Sequence, residues 1–502
     1  MAFAFVILSV IILILLMFFL IKKYTYWKRQ GIPTVRGTLP FVGHMLPVLT
    51  TKLNYSELNR KMHIEYKNHS MVGYYKLTNP VLLIRDPYLA GIVLKSKFSC
   101  FQRTGVVAHP DIDPLLARNA FFVAGEEWAN ARRRLINSFT NVKLKTLLES
   151  INVVCKKMED YIDRRLQTTK KYETELKTLC SKFTGEVIAN VGVGVEGYCF
   201  DEKPHPAAFD RIGDWLFKSN LKQVLEMTLM FTPGLKNSML KMKFIPEKME
   251  SFFRDIVSQN LKIRRQDSIP RSDILQSILD YLNWEKEEID EELIASDVLS
   301  FYMDGYETSA VAISFTAFLL AQYPEVQDKL RREIMSKIEK YDGAVTFEGL
   351  REMTYMDQVI NETQRRYTSI SFLTRVCTEE CELRGSDGLI YRVEPGMEVI
   401  VSNQGFHLDP EYWPDPELFD PERFSEERKH TIEKLAFLPF GEGPRLCAGM
   451  KMAQLQLKSF LTTLISKYRL ELSEKTQLPI KLSGLNFLTE PIGGLWVHIS
   501  KI

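Results

Sequence analysis

The sequence predicts a mainly α-helical protein with small β-sheets, standing behind an N-terminal transmembrane helix. Three observations carry that expectation. Residues 3–21 are apolar except for Ser9, which suits a bilayer-spanning helix. Residues 290–323 read as one long helix whose middle is apolar on nearly all sides, so it must be buried. Within residues 73–86, short apolar stretches such as Val81-Leu82-Leu83-Ile84 read as strands.

The bulk composition narrows the function. The 502 residues are 45% hydrophobic and 25% charged, enough apolar material for a large core. Length alone suggests two to four domains. A net charge of +2 argues against an electrostatic nucleic-acid binder. Seven cysteines stand at positions 100, 155, 180, 199, 377, 381 and 447, an odd number with no C-x-x-C pair. Neither a zinc ribbon nor a disulfide framework fits; reduced thiols in a cytosol-facing body do. The eight histidines show no H-E-x-x-H spacing.

At the N-terminus, the 19 apolar residues would span about 29 Å as a helix. No positive charge precedes them and no small-x-small cleavage site follows, against a signal peptide. Lys22, Lys23, Lys28 and Arg29 come next, with Tyr24, Tyr26 and Trp27 as interfacial aromatics. The positive-inside rule then puts the N-terminus in the lumen and the body in the cytosol. Residues 22–43, with Pro33, Pro40, Gly31, Gly37 and Gly43, read as a stiff, non-helical hinge.

Residues 101–120 lack periodicity and carry Pro110 and Pro114, a loop long enough to be functional. Trp128 opens a helix that sets Arg132 on the same face four residues on; alone this is a packing or cation–π pair. Gly192, Gly194 and Gly197 match G-x-G-x-x-G, but the segment before them looks helical, so a helix exit and loop is expected rather than a nucleotide site. Residues 216–245 mix apolar clusters (Met227, Leu229, Met230, Phe231) with Pro233 and Gly234, and either cover a pocket or are core.

Asp290 is a plausible N-cap for the long helix and Pro324 its end. Asp304, Gly305, Glu307 and Thr308 interrupt its apolar middle, where a buried acid is costly and a glycine costs about 1 kcal/mol. Such a helix keeps them for a reason, or hydrates the acids with internal water. Glu362 and Arg365, at i and i+3, make an ordinary helical ion pair. Last comes Phe440-Gly441-Glu442-Gly443-Pro444-Arg445-Leu446-Cys447-Ala448-Gly449, an irregular loop feeding a helix over residues 448–460. The helix N-terminus and Arg445 favour a negative sulfur at Cys447. That suits a metal ligand or a nucleophile; an unreactive cysteine in a turn is the alternative.

The spacing of Phe440, Gly443, Arg445, Cys447 and Gly449 (F-x-x-G-x-R-x-C-x-G) resembles the haem-ligand loop of the cytochrome P450 family. Other motifs follow in the family's order. Trp128 and Arg132 resemble its W-x-x-x-R; Gly305, Glu307, Thr308 and Ser309 its central-helix signature; Glu362 and Arg365 its E-x-x-R, completed by Arg423 in Phe419-Asp420-Pro421-Glu422-Arg423-Phe424. Asp304 stands where the family has a small residue, and Thr368 near a usual proline. The resemblance, closest to microsomal, insect-like members, covers nearly the whole chain and overrules a division by length. It implies one large catalytic domain over residues 44–502 behind an anchor (1–21) and hinge (22–43).

It further implies haem b, with iron bound by the axial thiolate of Cys447. Trp128, Arg132, Arg375 and Arg445 would hold the propionates, with Phe440, Gly443 and Gly449 shaping the loop. Glu307, Thr308 and Asp304 would form the catalytic group, with Thr308, Glu307 and water delivering protons. Glu362, Arg365 and Arg423 would be structural. The expected reaction inserts one atom of O2 into a lipophilic substrate. The expected setting is the endoplasmic reticulum membrane, with electrons from NADPH–cytochrome P450 reductase and cytochrome b5 as an optional second donor. The reductase would dock on a basic face of Arg133, Arg134, Lys451 and Lys458. No nucleic acid is expected as a partner. A haem-thiolate isomerase or dehydratase, and a haem sensor, are the rivals.

Overall fold

Asp290 caps the long helix as its sequence predicts: its carboxylate accepts the N–H groups of Glu292 and Leu293 at 2.9 and 3.2 Å. The helix runs Glu291–Gln322, and Pro324 opens the next one, Pro324–Lys340. In this computed structural model, which describes residues 2–218, 221–231, 243–266, 269, 271–286 and 288–502, that helix is the axis of the body. It is buried on nearly all sides, and polar groups along it are satisfied by its own turns and by distant segments. Ser300 and Thr316 donate to the carbonyls one turn back at 2.7 Å. Tyr302 and Tyr306 stack at 5.2 Å and donate to the carbonyls of Phe209 and Asp210. Arg134 reaches in from the helix Gly125–Asn137 and binds Asp297 with two bonds of 2.7 and 3.2 Å, both side chains being buried.

The strands form three small sheets. β1 (Met71–Lys76) and β2 (Asn79–Ile84) are antiparallel, in the stretch whose apolar runs predict strands. β3 is Tyr172–Glu175, β4 Leu373–Val376, β5 Cys381–Arg384, β6 Ile390–Val393, β7 Glu398–Val401, β8 Tyr468–Leu472 and β9 Trp496–Lys501. The largest sheet has the order β1-β2-β7-β4, with β2 parallel to β7 and β4 antiparallel to it, Arg375 facing Val399 across the ladder. The others are β3-β9-β8 and β5-β6.

The helix Ala2–Tyr24 carries a 22-residue apolar stretch, Phe3–Tyr24, that is long and apolar enough to cross a membrane. The hinge departs from the expectation in two ways. It contains a short helix, Tyr26–Arg29, and beyond it Thr34 pairs with Gly73 of β1. Trp27 is no interfacial residue: it is fully buried, its indole donating to the Tyr74 carbonyl at 3.0 Å. Only the missing side chain of Gly73 makes room, since a Cβ there would stand 2.2 Å from the indole. An aromatic following an anchor looks the same in sequence whether it meets lipid or a slot in the body.

The Gly192–Gly197 region is a helix exit, as expected. The helix Leu176–Ile188 passes through a wider turn, Ala189–Val193, and ends at Gly194 with φ +68°. Residues 101–120 are largely irregular, with a short turn of helix at Leu116–Arg118. Of the apolar clusters in residues 216–245, Pro233, Gly234 and the side chains of Met227 and Leu229 lie outside the described residues.

Candidate active site

The loop carrying Cys447 is shaped by backbone. Gly443, at φ +75°, starts a helical turn, Gly443–Arg445, and a Cβ on it would stand 2.0 Å from the Leu94 carbonyl oxygen. The Cys447 N–H donates to the Phe440 carbonyl at 2.9 Å, closing the loop. The helix that follows runs Met450–Lys467 with Gly449 at its cap, two residues later than the sequence reading. A Cβ on Gly449 would meet nothing within 4 Å beyond its chain neighbours, so there is open space beside the Cys447 loop. The thiol is accessible although protein surrounds it on most sides. Burial pushes it up to about 11, against the Gly449 N–H and the charge of Arg132, which pull it down. The helix terminus alone therefore does not make a thiolate; a bound metal cation would.

Around this thiol the fold gathers cations. Arg445 donates to the carbonyls of Gln102, Ala120 and Val123 at 2.7, 3.0 and 2.6 Å, which fixes its fork. The Trp128 ring lies beside both Arg445 and Arg132, at 4.9 and 5.9 Å. Arg375, on β4, is buried and, among the described residues, donates only to the carbonyl of Thr374 and leaves its Nε without a partner. Burial lowers Arg375 to about 10, and burial with repulsion from Arg375 and Arg132 lowers Arg445 to about 9. Among the described residues, no carboxylate pairs with Arg132, Arg375 or Arg445. Three clustered cations facing no anion, one with an orphaned buried N–H, fit a group bringing two carboxylates, as haem does.

The acids of the central helix divide. Thr308 donates to the carbonyl of Asp304 at 2.6 Å, leaving its lone pairs to the interior. Glu307 is buried and pairs with Lys177 of the neighbouring helix at 2.7 Å. A glycine at 305 serves that helix packing, because a Cβ would stand 3.3 Å from Ile188. Asp304 is accessible from the interior yet enclosed by the body, and its charge is felt at Cys447. Burial raises it to about 7, with the neighbouring Asn119 amide pulling partly back. An unfolded aspartate loses its proton near pH 4, so the folded chain alone keeps it between there and about 7. Stability should therefore fall as pH rises through that window. Asp304→Asn should flatten the fall; thermal melts between pH 4.5 and 7.5 with the same slope in both proteins would show that Asp304 titrates normally.

Glu362 and Arg365 are not a surface pair. Both are fully buried in the helix Thr354–Arg366 and form two bonds of 2.8 and 2.9 Å. Arg365 also donates to the carbonyls of His407, Pro416 and Leu418, and Arg423 Nε lies 3.5 Å from Glu362. The expected basic face needs a correction as well. Arg133 and Lys451 are exposed, but Arg134 is spent on Asp297, and Lys458 is buried on Asp357 and the carbonyl of Leu350. Sequence reasoning missed Lys177, Asn119 and the three carbonyls that hold Arg445. No local signal marks them, because each acts across the fold.

A cysteine in a backbone-closed loop, a cluster of arginines beside it and a helix carrying an acid and a threonine make an arrangement that fits a haem-thiolate enzyme. Comparison with known proteins agrees: the cytochrome P450 family model matches residues 33–497. The chain belongs to the cytochrome P450 family, whose members are monooxygenases that bind haem through a cysteine thiolate. It is 34% identical to the probable cytochrome P450 6a13 of Drosophila melanogaster over 95% of each chain. It is 30% identical to cytochrome P450 6a2 of the same fly over 96% of each. With cytochrome P450 9e2 of Blattella germanica it shares 29% over 95% of this chain and 94% of the other.

Proposed function

We propose that this monooxygenase acts on lipophilic small molecules (xenobiotic, steroid or fatty-acid-like) while anchored by its N-terminal helix in the endoplasmic reticulum membrane. Electrons come from NADPH through the membrane-bound P450 reductase, with cytochrome b5 as an optional donor. The observation that carries the lipophilic reading is a buried aromatic cluster beside the strand that bears Arg375. Phe231 packs on Phe372 at 5.4 Å and on Phe487 at 5.8 Å, and Tyr55 stacks on Phe372 at 5.3 Å. Apolar rings beside the strand that bears Arg375 recognise apolar ligands by area and by edge contacts.

When bound, haem supplies the activation of O2, from which one atom enters the substrate and the other leaves as water. The chain's part is to hold and to protonate. Cys447 would supply the sulfur that holds the iron. Arg132, Arg375 and Arg445, with Trp128 beside two of them, would hold the propionates. Thr308, fixed through the Asp304 carbonyl, presents its hydroxyl oxygen to the interior and positions the proton. Glu307, paired with the partly exposed Lys177, serves with water in the same proton delivery. Arg133 and Lys451 remain as the exposed cations for the reductase.

Thr308→Ala should keep NADPH oxidation but lower product per NADPH several-fold, with peroxide rising in its place. Full product yield in that variant would remove Thr308 from proton delivery. The reading as a whole is tested in phospholipid vesicles holding this protein and the reductase. Oxygenated product that requires both NADPH and reductase supports it. Conversion of a substrate without either would favour an isomerase or dehydratase.

A further inference from the structure

Three of the seven cysteines meet at one place outside the haem site. Residues 97–103 run antiparallel to residues 376–382, tied by a ladder of bonds. The Val376 N–H donates to the Arg103 carbonyl at 2.8 Å, the Thr378 N–H to the Cys100 carbonyl at 2.7 Å, and the Thr378 hydroxyl to the Ser99 carbonyl at 3.2 Å. Lys97 closes the far end, its ammonium donating to the Glu382 carbonyl at 2.9 Å. This register lays Cys100 against the turn that joins Cys377 to Cys381. All three are free thiols; Cys100 is half-buried, while Cys377 and Cys381 are buried.

Their chemistry is unequal. The Cys377 thiol is occupied with the carbonyls of Glu379 and Val393, at 3.0 and 3.5 Å. Cys381 has no such carbonyl partner among the described residues, and Cys100 is its near neighbour. Burial raises Cys377 to about 11 and Cys381 to about 12, with Cys100 the next cause for each. The Lys97 ammonium acts the other way on Cys381. An accessible thiol beside a buried one is an arrangement in which oxidation ends as a cross-link rather than as an over-oxidised sulfur.

We propose that Cys100 and Cys381 are a redox-sensitive pair that closes to a disulfide on exposure to a peroxide. The step balances in two stages. Cys100 reduces hydrogen peroxide, taking one oxygen as a sulfenic acid and releasing water. The Cys381 sulfur then attacks the Cys100 sulfur, the S–O bond breaks, and the hydroxyl leaves with a proton as a second water. The bond would pin residues 97–103 to the sheet beside the propionate cradle, two residues before Gln102, whose carbonyl holds Arg445 at 2.7 Å.

The test is a peptide map. The haem-loaded protein is treated with dilute hydrogen peroxide, free thiols are alkylated in denaturant, and the protein is digested without reduction. The expected product joins the Cys100 and Cys381 peptides, vanishes on later reduction, and is absent in Cys100→Ser. In Cys381→Ser, Cys100 should instead be trapped by dimedone or run on to sulfinic acid. A Cys100–Cys377 link, over-oxidised Cys100 beside free Cys381 in the unsubstituted protein, or three alkylatable thiols after treatment would each overturn the pair.

Discussion

Cys447→Ser should abolish the strongly red-shifted Soret band of the dithionite-reduced, carbon-monoxide-bound protein. That band reports an anionic sulfur on the iron. The Cys447 thiol itself, without a cation on it, is pushed up to about 11 by burial, so the metal must take the proton's place. A serine hydroxyl is a far weaker acid and a poorer ligand for iron. The loop should survive the change, because backbone holds it: the position-447 N–H bonds to the Phe440 carbonyl at 2.9 Å, and Gly443 fits beneath the Leu94 carbonyl. The variant should thus fold, bind haem weakly if at all, and lose monooxygenase turnover by orders of magnitude. A red-shifted band that persists in Cys447→Ser would mean that another cysteine is the ligand.

Arg365→Met should cost about 3–5 kcal/mol, the range for removing one partner of a buried ion pair. The buried Glu362 would lose both its bonds to Arg365, of 2.8 and 2.9 Å. The carbonyls of His407, Pro416 and Leu418 would lose a donor too, and these anchor the winding segment that leads to the cysteine loop. Arg423 offers little relief, since its Nε stands 3.5 Å from Glu362 and makes no hydrogen bond among the described residues. Against a total of about 5–15 kcal/mol for a folded domain, most of the haem-loaded protein should be lost. Arg365→Lys should not rescue it, because an ammonium cannot reproduce the flat fork. Thermal unfolding and the recovered haem per chain are the measurements; an unchanged melting temperature in Arg365→Met would make the cluster dispensable.

The sequence by itself determined what depends on neighbours along the chain. Asp290 and Pro324 bound the central helix, glycines with positive φ mark the exits and turns, and the spacing around Cys447 points to the family that the whole chain matches. These signals are legible because caps, turns and helical periodicity act within a few residues. The tertiary structure decided which polar groups face water and which are consumed inside. Lys458 and Arg134 look like surface cations, Trp27 like a membrane-belt aromatic, and Glu307 like a free acid beside Thr308. Each is instead claimed by a partner from a distant segment: Asp357, Asp297, the slot at Gly73, and Lys177. The carbonyl that holds Arg445 at Gln102 is 343 residues away in the chain. Burial and charge pairing are properties of segments that meet only in the folded molecule. No local pattern encodes them, because the same side chain is a solvated charge or a buried partner according to what the fold brings against it.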